Sequence, residues 1–205
     1  MEDMLRMIDM SLTLLYIYFF PLLLVILLVG KFLKKMSLEY LFFLSIFFFY
    51  MLSVLKLTLL PIPFGGLLES LRQDVEGTLL FINFKPLWLK EHFSFLSREQ
   101  LLNVLLLVPF GFLINYLINS TWKKVILSGL VLTLTIESLQ LVLSLLLRYP
   151  YRIIDINDIF YNFAGSCIGF IFFKLFSSVY VKYVKKYNVK LDPFSQYIFN
   201  AGNKP

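Results

Sequence analysis

Two polar stripes in an otherwise hydrocarbon-rich chain carry the residues able to do chemistry. The first runs through 125–147, VILSGLVLTLTIESLQLVLSLLL, with Glu137 near its middle. Thr133, Glu137, Gln140 and Ser144 follow at intervals of four, three and four residues, which is one face of a helix. A carboxylate at the centre of a bilayer costs about 2.5–3.5 kcal/mol on insertion scales. The stripe must therefore face the interior of a bundle, with Glu137 paired or protonated. The plainest use for such residues, above all Gln140 and Ser144, is hydrogen bonding between helices.

The second stripe lies in 152–170, RIIDINDIFYNFAGSCIGF. Asp155, Asp158, Asn162, Gly165 and Gly169 are spaced by three, four, three and four residues. At 100° per residue they stay within an arc of about 80°. Two carboxylates and an amide on one face could act as acid and base or hold a divalent cation. Arg148 and Arg152 could pair with them or bind an anion such as a lipid phosphate. Helix mechanics account for part of the pattern: Asp155 suits a cap, Asp158 suits the positive end of a helix dipole, and the glycines allow a neighbouring helix to approach closely. Asn162 and Arg152 are left over. A third polar set, Asn103, Pro109, Phe110, Gly111 and Asn115, lies in 99–118. Its PFGF sequence is expected to break the helix ladder, because proline removes a donor and clashes with the preceding turn. Backbone groups freed in this way must be buried in protein or line a cavity.

Composition shows what has to position these residues. The chain is 59% hydrophobic and only 16% charged, with mean hydropathy +0.79, whereas a soluble domain carries roughly 25% charged residues. Five apolar segments, about 10–30, 38–60, 99–118, 125–147 and 155–181, suit spans of about 30 Å. The expectation is an all-α polytopic membrane bundle of about five transmembrane helices, one domain over 1–205. The first segment lacks a small-residue cleavage site, so it reads as a retained helix and not a signal peptide. Ser97 and Gln100 in SREQ form a capping-box pattern at the start of the third segment. Within the long loop 61–98, GLLESLRQDVEG suits a surface helix, and GTLLFINFKPLW (77–88) suits an interfacial or re-entrant segment.

The net charge of +6 comes largely from lysines in alternate loops: Lys31, Lys34 and Lys35, then Lys123 and Lys124, then Lys182, Lys185, Lys186 and Lys190. Positive-inside logic places these loops in the cytoplasm, with the N-terminus outside and the C-terminus inside. The basic tail suits anionic lipid and not nucleic acid. One cysteine, Cys167, permits no intrachain disulfide and no cysteine metal framework. The single histidine, His92, supports no histidine-based catalysis, and no P-loop, nucleophile elbow or H-E-x-x-H pattern occurs.

Taken in order, INFKPLW (82–88), NVLLLVPFGFL (103–113), ESLQ (137–140) and RIIDINDIFYNFAGSCIG (152–169) resemble the VanZ-like family of bacterial membrane proteins, named for a protein associated with teicoplanin resistance. The resemblance covers about 55–175. The family's recurrent positions match Asn83, Asn103, Pro109, Gly111, Glu137, Gln140, Arg152, Asp155, Asp158, Asn162, Gly165 and Gly169. Tyr151 replaces a common glycine, Asn157 a common third acid, and Lys85 stands beside the expected proline. The resemblance implies a multi-pass protein of the bacterial cell membrane that influences susceptibility to teicoplanin-type lipoglycopeptides, with membrane lipid as its partner. It supplies no reaction, no cofactor and no oligomeric state. Two other readings stay open from the residues. One is an intramembrane enzyme acting on a polyprenyl-phosphate or glycan-lipid substrate, with Arg148 and Arg152 on phosphate, Asp155 and Asp158 on a divalent cation or in acid–base roles, and Glu137 as a buried acid. The other is a small transporter or flippase subunit.

Overall fold

The computed structural model describes residues 2–60, 62, 77, 82–83, 97–118, 121–149 and 154–203, and for 2–13, 16, 82 and 154 it describes the backbone alone. The order is α1 (Glu2–Leu28), which runs into a π-helical turn at Val29–Leu33, then α2 (Leu38–Leu59), β1 (Ile82–Asn83), α3 (Arg98–Leu117), α4 (Trp122–Leu147), β2 (Ile154–Asp155), α5 (Ile156–Tyr187) and α6 (Pro193–Gly202). Helices α2 to α5 are each long and apolar enough to cross a membrane, and α1 contributes the shorter apolar stretch Ile17–Leu33. The expected 10–30 segment lies within α1 and the π-helical turn that follows it, and α1 begins in a charged sequence with Glu2, Asp3, Arg6 and Asp9.

Helices α2, α3, α5 and α6 start where short polar side chains satisfy orphan amides. Ser37 accepts from the Tyr40 amide at 3.2 Å. Ser97 and Gln100 form the full capping box, at 2.9 and 3.3 Å. One expectation fails: α3 continues through Pro109 as a single helix. A proline inside a membrane helix is tolerated where neighbouring side chains take up the freed carbonyls. The carbonyl that Pro109 leaves without a helix donor is that of Leu105; next to it, the Tyr50 hydroxyl, from α2, donates to the carbonyl of Leu106 at 2.7 Å. A second difference is a two-residue parallel ladder in the otherwise helical chain, pairing Ile82 with Ile154 and Asn83 with Asp155.

Helix α5 is the axis of the bundle and packs most extensively on α3, then on α4. The seam with α3 is backbone against backbone. A Cβ on Gly165 would lie 2.0 Å from the Val104 carbonyl oxygen, one on Gly169 2.0 Å from that of Val108, and one on Gly111 1.9 Å from that of Ser166. A glycine hydrogen then points at each carbonyl, the geometry of Cα–H···O contacts between helices.

One end of the bundle is closed by aromatic rings. Phe43 of α2 stacks on Tyr116 of α3 at 4.1 Å and on Phe194 of α6 at 5.7 Å, and Phe173 of α5 meets Tyr116 edge-on at 5.3 Å. The Tyr197 hydroxyl donates to the Tyr116 carbonyl. Burial, with smaller contributions from Tyr40 and Glu39, pushes the Tyr197 phenol up to about 12. Asp192 caps α6 by accepting from the Phe194 and Ser195 amides and the Ser195 hydroxyl. The Ser195 hydroxyl and amide bonds hold its carboxyl below the usual aspartate range. Because the start of α2, the end of α3 and the docked α6 meet here, the lysine-rich loops share this basic end. The opposite, acidic end holds the start of α5 and the end of α4.

Candidate polar site between the fourth and fifth helices

The register of α4 against α5 follows from one close contact. A Cβ on Gly129 would fall 2.2 Å from Ser166 Oγ, so these two residues share a level. The helices are antiparallel, and both advance about 1.5 Å per residue. Four residues toward the acidic end, Thr133 meets the level of Asn162. Eight residues along, about 12 Å, Glu137 meets that of Asp158. Eleven along, Gln140 meets that of Asp155. The two stripes therefore face one another rung by rung. The charges of Asp158 and Asp155 act directly on Glu137.

The rungs differ in kind. At the outermost, Asp155 is bound on both carboxyl oxygens. Oδ1 accepts from the Asn157 amide at 2.8 Å and from the Asn157 side chain, so Asp155 is the N-cap of α5. Oδ2 accepts from Asn83 Nδ2 at 2.8 Å, tying the cap to β1. Gln140 Nε2 donates to the Thr58 carbonyl in the last turn of α2 at 3.0 Å. These residues join four elements at one level.

On either side of that level buried polar atoms lack partners: Thr133, Glu137, Tyr161 and Asn162 on the inner side, and Ser144 one turn beyond Gln140. Thr133 is 0% exposed, Glu137 7%, Ser144 1% and Asn162 2%. Thr133 Oγ1, Glu137 Oε2, Ser144 Oγ, Asn162 Oδ1 and the buried Tyr161 hydroxyl accept or donate no hydrogen bond. Each unmade bond costs about 1–3 kcal/mol, so five such atoms along one seam are expensive unless something fills their demand. Tyr161 was not singled out by the sequence; it sits three residues after Asp158 and within reach of the Asp155 and Asp158 charges. Gly129 and Ser166, which set the register, were also missed. Their only signal is that both are small residues on facing spans.

The remaining candidates fall outside this polar seam or beside it. Asn103 is half-buried in α3, next to Val104, whose carbonyl faces Gly165. Asn115, at 0% exposure, bonds inside α3 to the carbonyls of Gly111 and Phe112 at 2.6 and 3.2 Å. Arg148 is the exposed C-cap of α4, with φ 51°. Its backbone stands about 12 Å beyond the level of Asp155. Arg152, Lys85, His92 and most of the expected segments at 66–77 and 77–88 lie outside the described residues. Among the described residues no three His, Cys, Asp or Glu side chains group as a metal set. Both carboxyl oxygens of Asp155 are engaged in hydrogen bonds.

No curated protein and no solved structure matches the chain. The VanZ/LLP1 family model matches residues 47–177, which run from within α2 to within α5 and include both polar stripes and the glycine seam. That span is well over half of the chain: the protein belongs to the VanZ/LLP1 family.

Proposed function

We propose that this chain is a bacterial cell-membrane protein that reduces the action of teicoplanin-type lipoglycopeptides. In this reading it engages an envelope lipid or lipid-linked precursor at the polar seam between α4 and α5. The basic end faces the cytoplasm by the positive-inside rule, so the acidic end of the seam lies toward the outer leaflet, where such drugs meet lipid-linked cell-wall precursors. The observation that carries the reading is the set of buried, unpartnered polar atoms at Thr133, Glu137, Tyr161 and Asn162. A bundle needing only stability would have no use for them. The test is teicoplanin susceptibility with and without the intact protein, then with Glu137→Ala and Asp155→Ala. Expression should raise the inhibitory concentration, and both variants should remove the effect. Unchanged susceptibility on expressing the intact chain sinks the proposal.

A second reading, an intramembrane enzyme acting on a polyprenyl-phosphate or glycan-lipid substrate, rests on Glu137 and Asp158 sharing a level with Asp155 one turn away. Three carboxyl groups of this kind suit proton transfer. It requires a new lipid product that depends on Glu137, which profiling of extracted lipids would reveal. The transport reading requires a polar path from end to end. Toward the basic end the α4–α5 seam narrows to Gly129 against Ser166, and one turn on α4 carries the fully buried Val125.

A further inference from the structure

The basic end carries a polar stripe of its own, on the part of α5 that leaves the bundle, and it is independent of the α4–α5 seam. Two contacts fix where that part begins. A Cβ on Gly169 would meet Val108 and Phe112 of α3, so the parallel helices bring Leu117, the last residue of α3, level with Phe176. Gly129 shares the level of Ser166, so Trp122, the first residue of α4, is level with Phe173. Beyond these levels α5 runs on to Tyr187, about 16 Å past the end of α3. Lys174, Ser178, Lys182 and Lys185 follow one another at four, four and three residues and stay within an arc of about 80°. Ser178, Lys182 and Lys185 are exposed and Lys174 is half-buried. Lys185 is engaged: its ammonium donates to Asn203 Oδ1 at 2.9 Å, beside the end of α6. On the neighbouring face of α5, Phe172, Phe176, Val179 and Tyr183 are exposed, as on a helix in contact with lipid. The stripe therefore lies where a lipid-facing helix meets water, and positive-inside logic assigns that level to the cytoplasmic leaflet.

Its spacing suits one anion. Lys174 stands just inside the level at which α3 ends, with Nζ 5.8 Å from the centre of the Phe170 ring, one turn deeper. An ammonium at that depth gains by reaching outward to the head groups. Lys182 is about 12 Å further out along the helix and reaches back on an equally flexible stem. The two stems converge beside Ser178, whose hydroxyl adds a donor. Two cations and a hydroxyl call for an anion with several acceptor oxygens, and a phosphodiester is the one a membrane supplies at this depth. Lys123 and Lys124, level with Phe172 and Ile171, add positive charge nearby. Of the acids at this end, Asp192 is already taken up by the cap of α6.

We propose that the Lys174–Ser178–Lys182 face of α5 binds the phosphodiester head group of an anionic phospholipid in the cytoplasmic leaflet. The experiment uses the full chain, purified and returned to nanodiscs of equal parts phosphatidylglycerol and phosphatidylcholine. Lipid retained after detergent washing is read by mass spectrometry. Phosphatidylglycerol should be retained about tenfold over phosphatidylcholine, and less so as salt rises, because exposed charges are screened. Lys174→Gln and Lys182→Gln should each cut its retention about fivefold, the worth of one lysine near an anionic surface. Arg98→Gln, which removes the same charge at the acidic end, should leave retention unchanged. Size-exclusion profiles establish that each variant is folded, and the exposed Lys182 tests the idea alone if Lys174→Gln is not. Equal retention of the two lipids overturns the proposal. So does an equal loss in Arg98→Gln, the mark of diffuse net charge, and so do folded lysine variants that retain phosphatidylglycerol unchanged. Displacement of the lipid by millimolar glycerol phosphate would assign the stripe to a soluble phosphate and overturns it as well.

Discussion

The two ends of the bundle solve the same problem in opposite ways. At the basic end, polar groups buried among Phe43, Tyr116 and Phe173 have partners: Tyr197 donates to the Tyr116 carbonyl, and Asn115 bonds two carbonyls of its own helix. In the acidic half, Thr133, Glu137, Ser144 and Asn162 are as deeply buried and leave polar atoms unbonded. The hydrocarbon around both is alike, so burial alone does not explain the difference. The basic end is built to hold α6 and the helix ends together. On the proposed reading, the acidic half gives up stability to keep a set of hydrogen-bonding groups ready, a trade expected where binding requires it.

Both halves hang on the α3–α5 seam, so breaking the seam should erase the contrast and give the largest effect. Gly169→Val places side-chain atoms where a carbonyl oxygen already lies 2.0 Å from the Cβ position. Overpacking against backbone should cost roughly 3 kcal/mol or more, read as loss of the monodisperse peak in size-exclusion chromatography. A well-behaved Gly169→Val protein would show that the close seam is not required.

The next two substitutions should have opposite signs. Thr133→Val removes an unbonded buried hydroxyl without changing shape, so it should stabilise delipidated protein by about 1–2 kcal/mol. At the other end, Tyr197→Phe removes a bonded hydroxyl and should destabilise by about 1 kcal/mol. Thermal melting of both variants in the same detergent reads the pair. If Thr133→Val destabilises as much as Tyr197→Phe, the acidic half is satisfied after all, and the contrast between the ends disappears.

The smallest effect concerns pH. Asp192, fully exposed at the cap of α6, has its carboxyl held below the ordinary value by the Ser195 hydroxyl and amide. A depressed folded value means that its contribution is complete above the ordinary aspartate pKa of about 3.9 and is lost as pH falls through the folded value. Hydrogen exchange at the Phe194 and Ser195 amides, corrected for intrinsic rates, should therefore speed up between pH 5 and the acid limit, in the range about 4 to 2. Asp192→Asn keeps an acceptor and removes the titration, so its corrected exchange should be flat across that range.

Much of this architecture was legible in the chain. Spans 38–60, 99–118 and 125–147 fall within a few residues of α2, α3 and α4, because hydrocarbon length and membrane thickness are tied. Helix α5 runs about a turn and a half past its expected end, since Lys182, Lys185 and Lys186 are exposed beyond the apolar region and continue the helix in water. Pro109 misled because one missing donor does not end a helix that is held by packing on α2 and α5, and those contacts come from distant parts of the sequence. The Asn83–Asp155 bond and its ladder were invisible for the same reason.

The sequence by itself determined that this is a membrane bundle, which faces of its fourth and fifth spans are polar, and where its glycines permit contact. These are properties of composition and helical period, and they need no partner. Only the tertiary structure decided that the two polar faces meet, with Thr133 opposite Asn162 and Glu137 opposite Asp158, because register is set by where Gly129 admits Ser166. It also decided that Asp155 is taken up as a bonded cap while the groups beneath it are left unbonded. Hydrogen-bond satisfaction belongs to pairs of groups, and no single span contains both members of the pair.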